Sequence, residues 1–394
     1  MTDVYIVDVL RTPVGKAPKG VFKHTLPDDL LAHAIKSLMN RNQTIDWQEI
    51  GDVVIGCAMP EAEQGMNVAR ISSLLAGLPN SVPAMTINRF CSSGVQSIAT
   101  AAASIRNGDI HLALGGGVES MSMVPLGGNK YTSNPRIFND EDVAIAYGMG
   151  ITAEIVAKRW EITREQQDEF ALSSHKKALA AQERLDFDAE ISPIEVTTRI
   201  ADLETNTVEK KKKLISKDEG PRLDTSLEAL ARLRPVFSLK GSVTAGNSSQ
   251  TSDGAGIALL ASEKALKQYN IEPMGRLLSF AVAGVPPEVM GIGPIKAIPI
   301  ALKRAGLTLD QIDWIELNEA FAAQALAVIK ELNLPKEKVN PLGGAIALGH
   351  PLGATGTIRT ATLLHGLKRT KGRYGIVTMC IGTGMGAAAV FEAL

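Results

Sequence analysis

Residues 84–105 read AMTINRFCSSGVQSIATAAASI and divide into three parts. A short apolar segment ends at Ile87, a turn containing serine and glycine follows, and an alanine-rich segment runs from Val95 to Ile105. Short apolar runs are typical of buried strands, and longer periodic runs that follow a turn are typical of helices. The stretch therefore predicts a strand, a turn and a helix, the repeating unit of an α/β fold with buried sheets.

A second copy of this unit lies near the C-terminus. The sequence HPLG at 350–353 opens a helical segment 259 positions after CSSG at 91–94. An apolar strand that follows Asp313 lies 261 positions after a similar strand that follows Asp52. Similar offsets at two unrelated motifs predict a duplicated α/β unit. If the two units pack symmetrically, the cysteine and the histidine of these motifs occupy equivalent turns and face each other.

Charged residues are concentrated in one part of the chain. Residues 151–230 contain 30 charged side chains in 80, whereas the other 314 positions contain 53. We interpret this stretch as a more solvated insertion in the first copy. It contains a helix start at Thr163, because a threonine and a glutamine three residues later, Gln166, can bond to each other's free backbone N–H groups.

The overall composition excludes several classes of protein. With 394 residues and 45% hydrophobic content, the chain suits two or three packed domains. A net charge of −1 supplies no general field for nucleic acid or an anionic membrane. No segment approaches the ~18 apolar residues of a membrane span, and the start lacks the features of a signal peptide. Three cysteines without a CxxC pair disfavour a disulfide framework and a zinc site, so we expect a cytoplasmic protein.

Cys91 and His350 are the first two candidate catalytic residues. Cys91 stands where the predicted helix begins, and the positive end of a helix dipole favours a thiolate nucleophile. The alternative is a buried cysteine that acts as a small apolar residue. His350 lies in the glycine-rich stretch 343–356, where an imidazole can take a thiol proton and later donate a hydrogen bond to a carbonyl oxygen. A histidine bonded only within its own turn is the alternative there.

Two further polar positions follow predicted strands in the second copy. Cys380 directly follows the strand 375–379 and precedes a glycine-rich turn. The N–H groups of that turn suit an acid/base beside an oxyanion site, although the glycines alone explain a tight turn. Asn318 can hold a water or a carbonyl in a pocket, or can cap the following helix. No Walker loop or dinucleotide fingerprint is present, which disfavours ATP or NAD. The lysines at 210–213 are a solvated cluster or cations for a phosphorylated coenzyme.

Five motifs stand together in order along the chain: NRFCSSG at 88–94, VTAGNSSQTSDGA at 243–255, NEAFA at 318–322, GGAIALGHPLGATG at 343–356 and CIGTGMG at 380–386. This ordered set resembles the thiolase family, and within it the bacterial 3-ketoacyl-CoA thiolases. The resemblance extends from the turn at 11–13 to the final strand. It implies a five-layered α-β-α-β-α core built from two duplicated halves, with an inserted loop domain. We accordingly divide the chain into an N-terminal half (1–118 and 243–270), a loop domain that binds CoA (119–242) and a C-terminal half (271–394).

The resemblance also implies a role for each motif. In that family Cys91 accepts the acyl group, His350 activates it, and Cys380 exchanges a proton with C2 of acetyl-CoA. One oxyanion hole is formed by His350 with a water held by Asn318, and the other by the backbone N–H groups of Cys91 and Gly382. The CoA and substrate contacts that the resemblance implies are Ser249 at the pantetheine, Arg222 at the adenine end, and Phe237, Met290 and Met149 along the channel.

The expected activity is that of an acetyl-CoA C-acyltransferase, which cleaves 3-ketoacyl-CoA with CoA to acetyl-CoA and a shortened acyl-CoA, or runs in reverse. CoA is a co-substrate, and neither a metal nor a permanently bound cofactor is expected. An acetoacetyl-CoA-specific biosynthetic thiolase and a non-catalytic acyl-CoA binding protein are the alternatives. Members specific for acetoacetyl-CoA commonly have a histidine where this chain has Gly148, which favours a broader range. A homodimer or homotetramer, associated with other β-oxidation enzymes, is the expected assembly.

Overall fold

The computed structural model describes residues 3–130, 132–139, 144–202 and 204–394. Its strands are β1 Val4–Arg11, β2 Gly15–Lys16, β3 Ile50–Gly56, β4 Ala84–Ile87, β5 Leu112–Ser120, β6 Ile194–Asp202, β7 Thr207–Ile215, β8 Ser252–Ser262, β9 Gly275–Gly284, β10 Trp314–Leu317, β11 Tyr374–Ile381 and β12 Met385–Ala393. Its α-helices are α1 Pro27–Arg41, α2 Val68–Ala76, α3 Ser93–Asn107, α4 Arg136–Asn139, α5 Met149–Arg159, α6 Arg164–Glu183, α7 Leu227–Ala231, α8 Glu263–Tyr269, α9 Gly293–Ala305, α10 Ala322–Leu332, α11 Ala345–Leu348 and α12 Leu352–Thr370. The strand, turn and helix predicted around residues 84–105 are confirmed as β4 and α3.

One hydrogen-bonded path connects the strands of the core in the order β10-β11-β12-β9-β1-β8-β5-β3-β4, with β2 paired to β8. Parallel pairs join β3 to β4 and β5, and β10 to β11. Two parts of the path, β10 to β9 and β1 to β4, are joined at its middle, where β1 pairs with β9 over only Tyr5 and Ile6. The path is therefore two sheets that touch at one short contact.

The strand registers confirm the duplication. Val53 of β3 pairs with Leu114 of β5, and Trp314 of β10 pairs with Gly375 of β11. Both members of the second pair lie 261 positions after their counterparts in the first. The two halves thus place equivalent residues at equivalent heights in the two sheets, as the sequence offsets predict.

Helices α3 and α12 form the middle layer between the two sheets. A hydrophobic cluster at this centre joins Val95 and Ile98 of α3 to Ala361 and Leu364 of α12 and to strand residues of both sheets. Separate clusters cover the outer faces, with α1 and α2 on the first sheet and α9 and α10 on the second. Residues 352–367 of α12 are all buried, as a central layer requires. The five-layered α-β-α-β-α architecture is confirmed.

The segment between β5 and β8 carries α4 to α7 and the hairpin β6–β7. The capping box predicted at Thr163 is present, since its hydroxyl accepts from the Gln166 N–H at 3.3 Å and the Gln166 side chain accepts from the Thr163 N–H at 2.9 Å. The lysines at 210–213 are exposed on β7. Strand β5 continues to Ser120, so the first proposed boundary, 118/119, falls inside it. The division into domains stays a prediction.

A buried ion network ties this inserted segment to the core. The Arg11 guanidinium at the end of β1 donates to Glu190 at 2.6 Å and to Asp218 at 2.7 and 2.9 Å. Asp218 also accepts from the backbone N–H of Val14 at 2.8 Å. These contacts fix the inserted segment to the end of β1 and to the residues that follow it. Among the helices of the described residues, none is long and apolar enough to cross a bilayer.

Candidate active site

Cys91 lies in the turn between β4 and α3. Phe90 has a positive φ of 44°, a conformation that non-glycine residues adopt rarely and that reverses the chain immediately before the cysteine. Residues 90–92 form one 3-10 turn, and α3 begins at Ser93. The side chain is 2% exposed and packs with Ala58, Met121 and Leu352. The nucleophile predicted from sequence is therefore held rigidly between the two halves.

Two backbone N–H groups point at the Cys91 sulfur, one from Cys91 itself and one from Gly382 in the turn after β11. Burial nevertheless raises the pKa of the Cys91 thiol to about 12, and the two N–H groups and the Glu119 carboxylate alter it less. The expectation that the helix start favours a thiolate is therefore wrong for this structure. The reason is that loss of water destabilises the anion more than two amide dipoles stabilise it.

His350 directly precedes α12 and is 4% exposed. Its Nδ1 lies 2.6 Å from the Thr355 hydroxyl, which itself donates to the Pro351 carbonyl at 3.0 Å. The hydroxyl hydrogen is used in that bond, so the Thr355 oxygen accepts from Nδ1–H and Nε2 keeps its lone pair. Burial, followed by the Arg359 charge, lowers the pKa of His350 to about 3. The imidazole is thus a neutral base, and the lone pair on Nε2 is the site that can take a proton.

Asn318 lies beside this base. Its Nδ2 is 3.2 Å from His350 Nε2, and its buried Oδ1 has no hydrogen-bond partner among the described residues. Helix α10 begins at Ala322 with Phe321 before it, so Asn318 is not a helix cap. The structure thus excludes the capping role that the sequence left open. It favours a side chain aimed at a ligand, because buried polar atoms are normally paired.

Cys380 stands near the end of β11 and is fully buried. Burial raises the pKa of its thiol well above the ordinary value, and ionisation of the nearby Cys91 raises it further. The two sulfurs, which are almost three hundred positions apart in sequence, therefore lie close enough to interact. Because Cys91 and the Gly382 N–H come from different halves, the site exists only where the halves meet.

The predicted substrate contacts are grouped on one side of Cys380. Met290 and Met149 pack in the same cluster as Cys380, and a Cβ added at Gly382 would lie 3.9 Å from the Met149 sulfur. The Phe237 ring meets the Phe321 ring edge-on at 6.1 Å. The Ser249 N–H donates to the Ala320 carbonyl at 2.9 Å, two residues after Asn318. The structure brings all four predicted residues, Met149, Met290, Phe237 and Ser249, to the Cys380 side of the site.

Arg222 lies on the wall of a separate opening of about 260 Å³, which also contains Lys16, His175, Gln250 and Ile346. Its side chain is exposed and 3.4 Å from Asp224, while its backbone N–H donates to His175 Nδ1 at 3.2 Å. Gln250 and Ile346 lie within a few residues of Ser249 and His350 in sequence. The opening therefore shares the segments that carry Ser249 and His350, although neither residue lines it.

Two buried contributors were not predicted from the sequence. Thr355 sets the tautomer of His350, and a threonine five residues after a histidine was the only signal for it. Glu119 ends the glycine-rich strand β5, where its carboxylate accepts four N–H bonds beside Cys91. The sequence signal for Glu119 was an acidic residue near the end of an otherwise apolar strand. Within the described residues, no group of three or more histidine, cysteine or acidic side chains is arranged to hold a metal ion.

Comparisons with known proteins agree with this geometry. Residues 4–264 match the family model "Thiolase, N-terminal domain", and residues 271–393 match "Thiolase, C-terminal domain". The chain is 52% identical to the 3-ketoacyl-CoA thiolase of Bacillus subtilis over 394 residues, which is 100% of both chains. It is 47% identical to the human peroxisomal 3-ketoacyl-CoA thiolase, covering 99% of this chain and 91% of that one.

Solved structures share the fold over the whole length. A Bacillus anthracis acetyl-CoA acetyltransferase matches with a TM-score of 0.90 and 39% identity, covering 100% of this chain and 99% of that one. Human mitochondrial 3-ketoacyl-CoA thiolase matches with a TM-score of 0.89 and 38% identity over the same shares. With the duplicated core, the paired cysteines and the buried histidine on the page, these matches establish that the chain belongs to the thiolase family.

Proposed function

We propose that the chain is an acetyl-CoA C-acyltransferase that cleaves 3-ketoacyl-CoA with CoA through an acyl-enzyme on Cys91. One observation carries the proposal: the Gly382 N–H of one half faces the Cys91 sulfur of the other, beside Cys380. A nucleophile with preformed N–H donors and a second thiol nearby suits carbon–carbon bond cleavage at a thioester. Relatives named 3-ketoacyl-CoA thiolase, up to full length and 52% identical, support it.

The first half-reaction transfers the acyl group. His350 Nε2 takes the Cys91 proton as the sulfur attacks the 3-keto carbon of the substrate. The C2–C3 bond then breaks, its electron pair passes to C2, and Cys380 protonates C2 to release acetyl-CoA. The high thiol pKa and low imidazole pKa keep the proton on sulfur at rest, so transfer occurs only as bond formation stabilises the charge.

The second half-reaction returns the enzyme to its starting state. The thiol of free CoA gives its proton to the Cys380 thiolate and attacks the acyl group on Cys91. The Cys91 sulfur then leaves with the proton held on His350, and a shortened acyl-CoA is the product. Both half-reactions develop negative charge on oxygen. We assign one oxyanion to the N–H groups of Cys91 and Gly382 and the other to His350 and a water held by Asn318. Each such donor lowers the barrier by about 3–4 kcal/mol.

Coenzyme A is assigned to the path from the opening at Arg222 to Cys91. The Arg222 guanidinium suits the phosphates of the nucleotide end, because it is a charged donor on an open wall. Ser249 lies one residue before Gln250 of that wall and is placed at the pantetheine. The acyl and pantetheine channel is assigned to Met149, Met290 and Phe237, whose surfaces are apolar.

Two alternatives differ in substrate range or in turnover. An acetoacetyl-CoA-specific enzyme is suggested by the 39% identical acetyl-CoA acetyltransferase. Against strict specificity, a Cβ added at Gly148 would have no atom within 4 Å, so this position leaves room beside Met149. A non-catalytic acyl-CoA binding protein has no need for two buried thiols and a neutral imidazole in one site.

A thiolysis assay over a substrate series tests the proposal. Purified protein with CoA should consume 3-ketoacyl-CoA substrates with C4 to C16 chains and release acetyl-CoA. The reaction is monitored by the loss of absorbance from the enolate of the substrate. Activity on several lengths supports the C-acyltransferase, and activity on C4 alone identifies the acetoacetyl-CoA-specific alternative. Tight binding without CoA-dependent turnover at any length would refute catalysis.

A homo-oligomer in the cytoplasm completes the proposal. Strand β4 is an edge of the core sheet, and exposed apolar side chains lie near it, with Met66 96% and Leu75 58% exposed. Unpaired edges and apolar patches favour association. A dimer or tetramer mass by light scattering, reduced to a monomer by Met66→Asp with Leu75→Asp, tests this assembly. Association with other β-oxidation enzymes stays a prediction.

A further inference from the structure

The Glu119 carboxylate is a buried charge that the proposed mechanism does not use. It is 0% exposed, and both oxygens are occupied. Oε2 accepts from the N–H groups of Ala58 and Gly353, each at 2.8 Å. Oε1 accepts from the Met59 N–H at 3.2 Å and from the Gln64 amide at 2.7 Å. Burial raises the pKa of Glu119, and the N–H donors lower it in turn. With four N–H donors and no cation at hydrogen-bond distance, the geometry favours an ionised carboxylate, since a protonated one would turn a hydrogen toward a donor.

These donors come from segments that surround the catalytic pair. Ala58 and Met59 lie in the loop after β3 and pack against Cys91. Gly353 lies in the first turn of α12, three residues after His350, and its neighbour Leu352 also packs against Cys91. Added to Gly353, a Cβ would lie 2.8 Å from the carboxylate, so only glycine allows this approach. Glu119 thus bonds simultaneously to the first-half loop behind the nucleophile and to the second-half helix that follows the base.

We propose that Glu119 is a positioning residue for the thiolase reaction, whose carboxylate fixes the first turn of α12, and with it His350, relative to Cys91. The inference rests on the proposed function. It goes further in assigning part of the alignment of the nucleophile and base to a residue that touches neither substrate nor the reacting atoms. A misplacement of about 1 Å in such a pair lowers the rate about a hundredfold.

Glu119 is also a negative charge beside the nucleophile. It opposes ionisation of Cys91 and of Cys57, whose sulfur is 3.9 Å from Oε1. The other titratable groups are Cys380 on β11, which lies near Cys91, and His350, which the proposed function places at Cys91. Replacement of the carboxylate by an amide therefore makes the Cys91 thiolate easier to form, a signature that loss of packing alone does not produce.

The test compares Glu119→Gln with Glu392→Gln in the full-length enzyme. Glu392 is an equally buried carboxylate at the far end of β12, where it accepts from Arg276 and Arg373. Three quantities are measured: kcat and KM for acetoacetyl-CoA thiolysis, and the pH dependence of Cys91 alkylation by iodoacetamide, located by mass spectrometry. For Glu119→Gln we expect kcat about 10- to 100-fold lower, KM within about twofold, and the alkylation midpoint roughly 1 pH unit lower. Glu392→Gln should change none of them.

Two results would overturn the inference. One is a folded Glu119→Gln enzyme with unchanged kcat, and the other is a lower kcat with an unmoved alkylation midpoint, which indicates a merely structural carboxylate. If Glu119→Gln does not fold, Glu119→Asp is used as the test variant instead. Aspartate keeps the negative charge, but its side chain is one methylene shorter and cannot reach the same N–H donors. A lower kcat with unchanged KM and an unmoved midpoint then supports positioning, and an unchanged kcat refutes it. Alkylation needs no turnover, so an inactive wild-type chain would refute the proposed function separately.

Discussion

The ends of equivalent strands in the two halves carry different chemistry. Cys57 follows β3 and Asn318 follows β10, 261 positions apart, and Glu119 on β5 corresponds in the same way to Cys380 on β11. On the first side the carboxylate has all its acceptor positions facing N–H donors. On the second side the Asn318 Oδ1 is buried without a partner among the described residues.

The difference shows where a duplicated fold keeps its reactive groups. Both halves supply the same backbone frame, but one strand end is closed by internal hydrogen bonds and the other retains unused hydrogen-bonding capacity beside two thiols. A satisfied polar network stabilises a structure, whereas an unsatisfied buried atom is available to a ligand. In the proposed mechanism the first half supplies the nucleophile and one oxyanion donor, the Cys91 N–H, and the second half supplies the acid, the base and the other oxyanion donors.

The largest effect is expected for Cys91→Ser. This variant tests whether the nucleophile is Cys91, the thiol that lies where the two halves meet. A buried serine beside a weakly basic imidazole forms little alkoxide, so kcat should fall by roughly 10⁴-fold or more. The acyl-enzyme seen by mass spectrometry with substrate should disappear. Cys57→Ser, an equally buried thiol on the closed side, should keep kcat within a factor of about three. An acyl adduct that persists in Cys91→Ser would contradict the assignment.

Cys380→Ser tests the second side of this comparison, the ends of β10 and β11. Because Cys380 is assigned to proton exchange at C2, deuterium exchange of acetyl-CoA should slow by about 10³-fold. Acylation of Cys91 should remain detectable by mass spectrometry, since that step uses His350. Unchanged exchange would remove Cys380 from its role, and loss of acylation together with exchange would mean that the variant disturbs the whole site.

Asn318→Ala removes the unpaired acceptor and the contact to His350. The acceptor is assigned to hold a water that donates to an oxyanion, and loss of one oxyanion-hole donor reduces kcat by about 10²- to 10³-fold, while substrate binding changes little. The comparison uses kcat and KM for thiolysis of acetoacetyl-CoA, with Asn318→Asp as the partner variant. The aspartate keeps an acceptor for the water but loses the N–H contact to His350 and adds a negative charge beside the oxyanion, so it should be as slow as alanine. If Asn318→Asp retained full activity, the side chain would act only as an acceptor.

Arg222→Ala tests the outer end of the path. The expected effect is an increase of roughly 5- to 10-fold in KM for CoA, because one charge-assisted contact to phosphate is lost. Pantetheine thioesters lack that nucleotide end and should be unaffected. Lys303→Ala, an exposed cation on the outer helix α9, is the control and should change neither KM. An equal increase in KM for CoA and for pantetheine thioesters would show that Arg222 does not contact the nucleotide end.

The last prediction concerns the free energy of unfolding rather than activity, and its dependence on pH. The folded pKa of His350 is about 3, below the ordinary 6.5, so the unfolded chain binds a proton in this window that the folded chain does not. The neutral histidine therefore lowers the free energy of unfolding as pH falls from 6.5 toward 3, by about 1.4 kcal/mol per pH unit. Urea unfolding of His350→Asn should show a shallower slope between pH 6 and 4. His24→Asn, on the surface, should keep the wild-type slope.

Particular residues show how far the sequence leads. The strand, turn and helix around Cys91 follow from local hydrophobicity and turn residues, and the capping box at Thr163 follows from its spacing; both are confirmed. The prediction of a thiolate at Cys91 is wrong, because Ala58, Leu352 and Met121 bury the sulfur and the sequence next to Cys91 does not indicate those contacts. Glu119 was missed because its partners lie 55 to 234 positions away.

The sequence by itself determined the duplicated α/β units, the places where each unit turns from strand to helix, and the reactive residue types at those turns. These features depend on local periodicity and on repeated spacing, which are properties of the linear chain. Only the tertiary structure decided which turns meet, which sulfur the Gly382 N–H faces, and which nitrogen of His350 carries no hydrogen. Those outcomes depend on distances between segments from opposite halves and on the exclusion of water where the halves pack together.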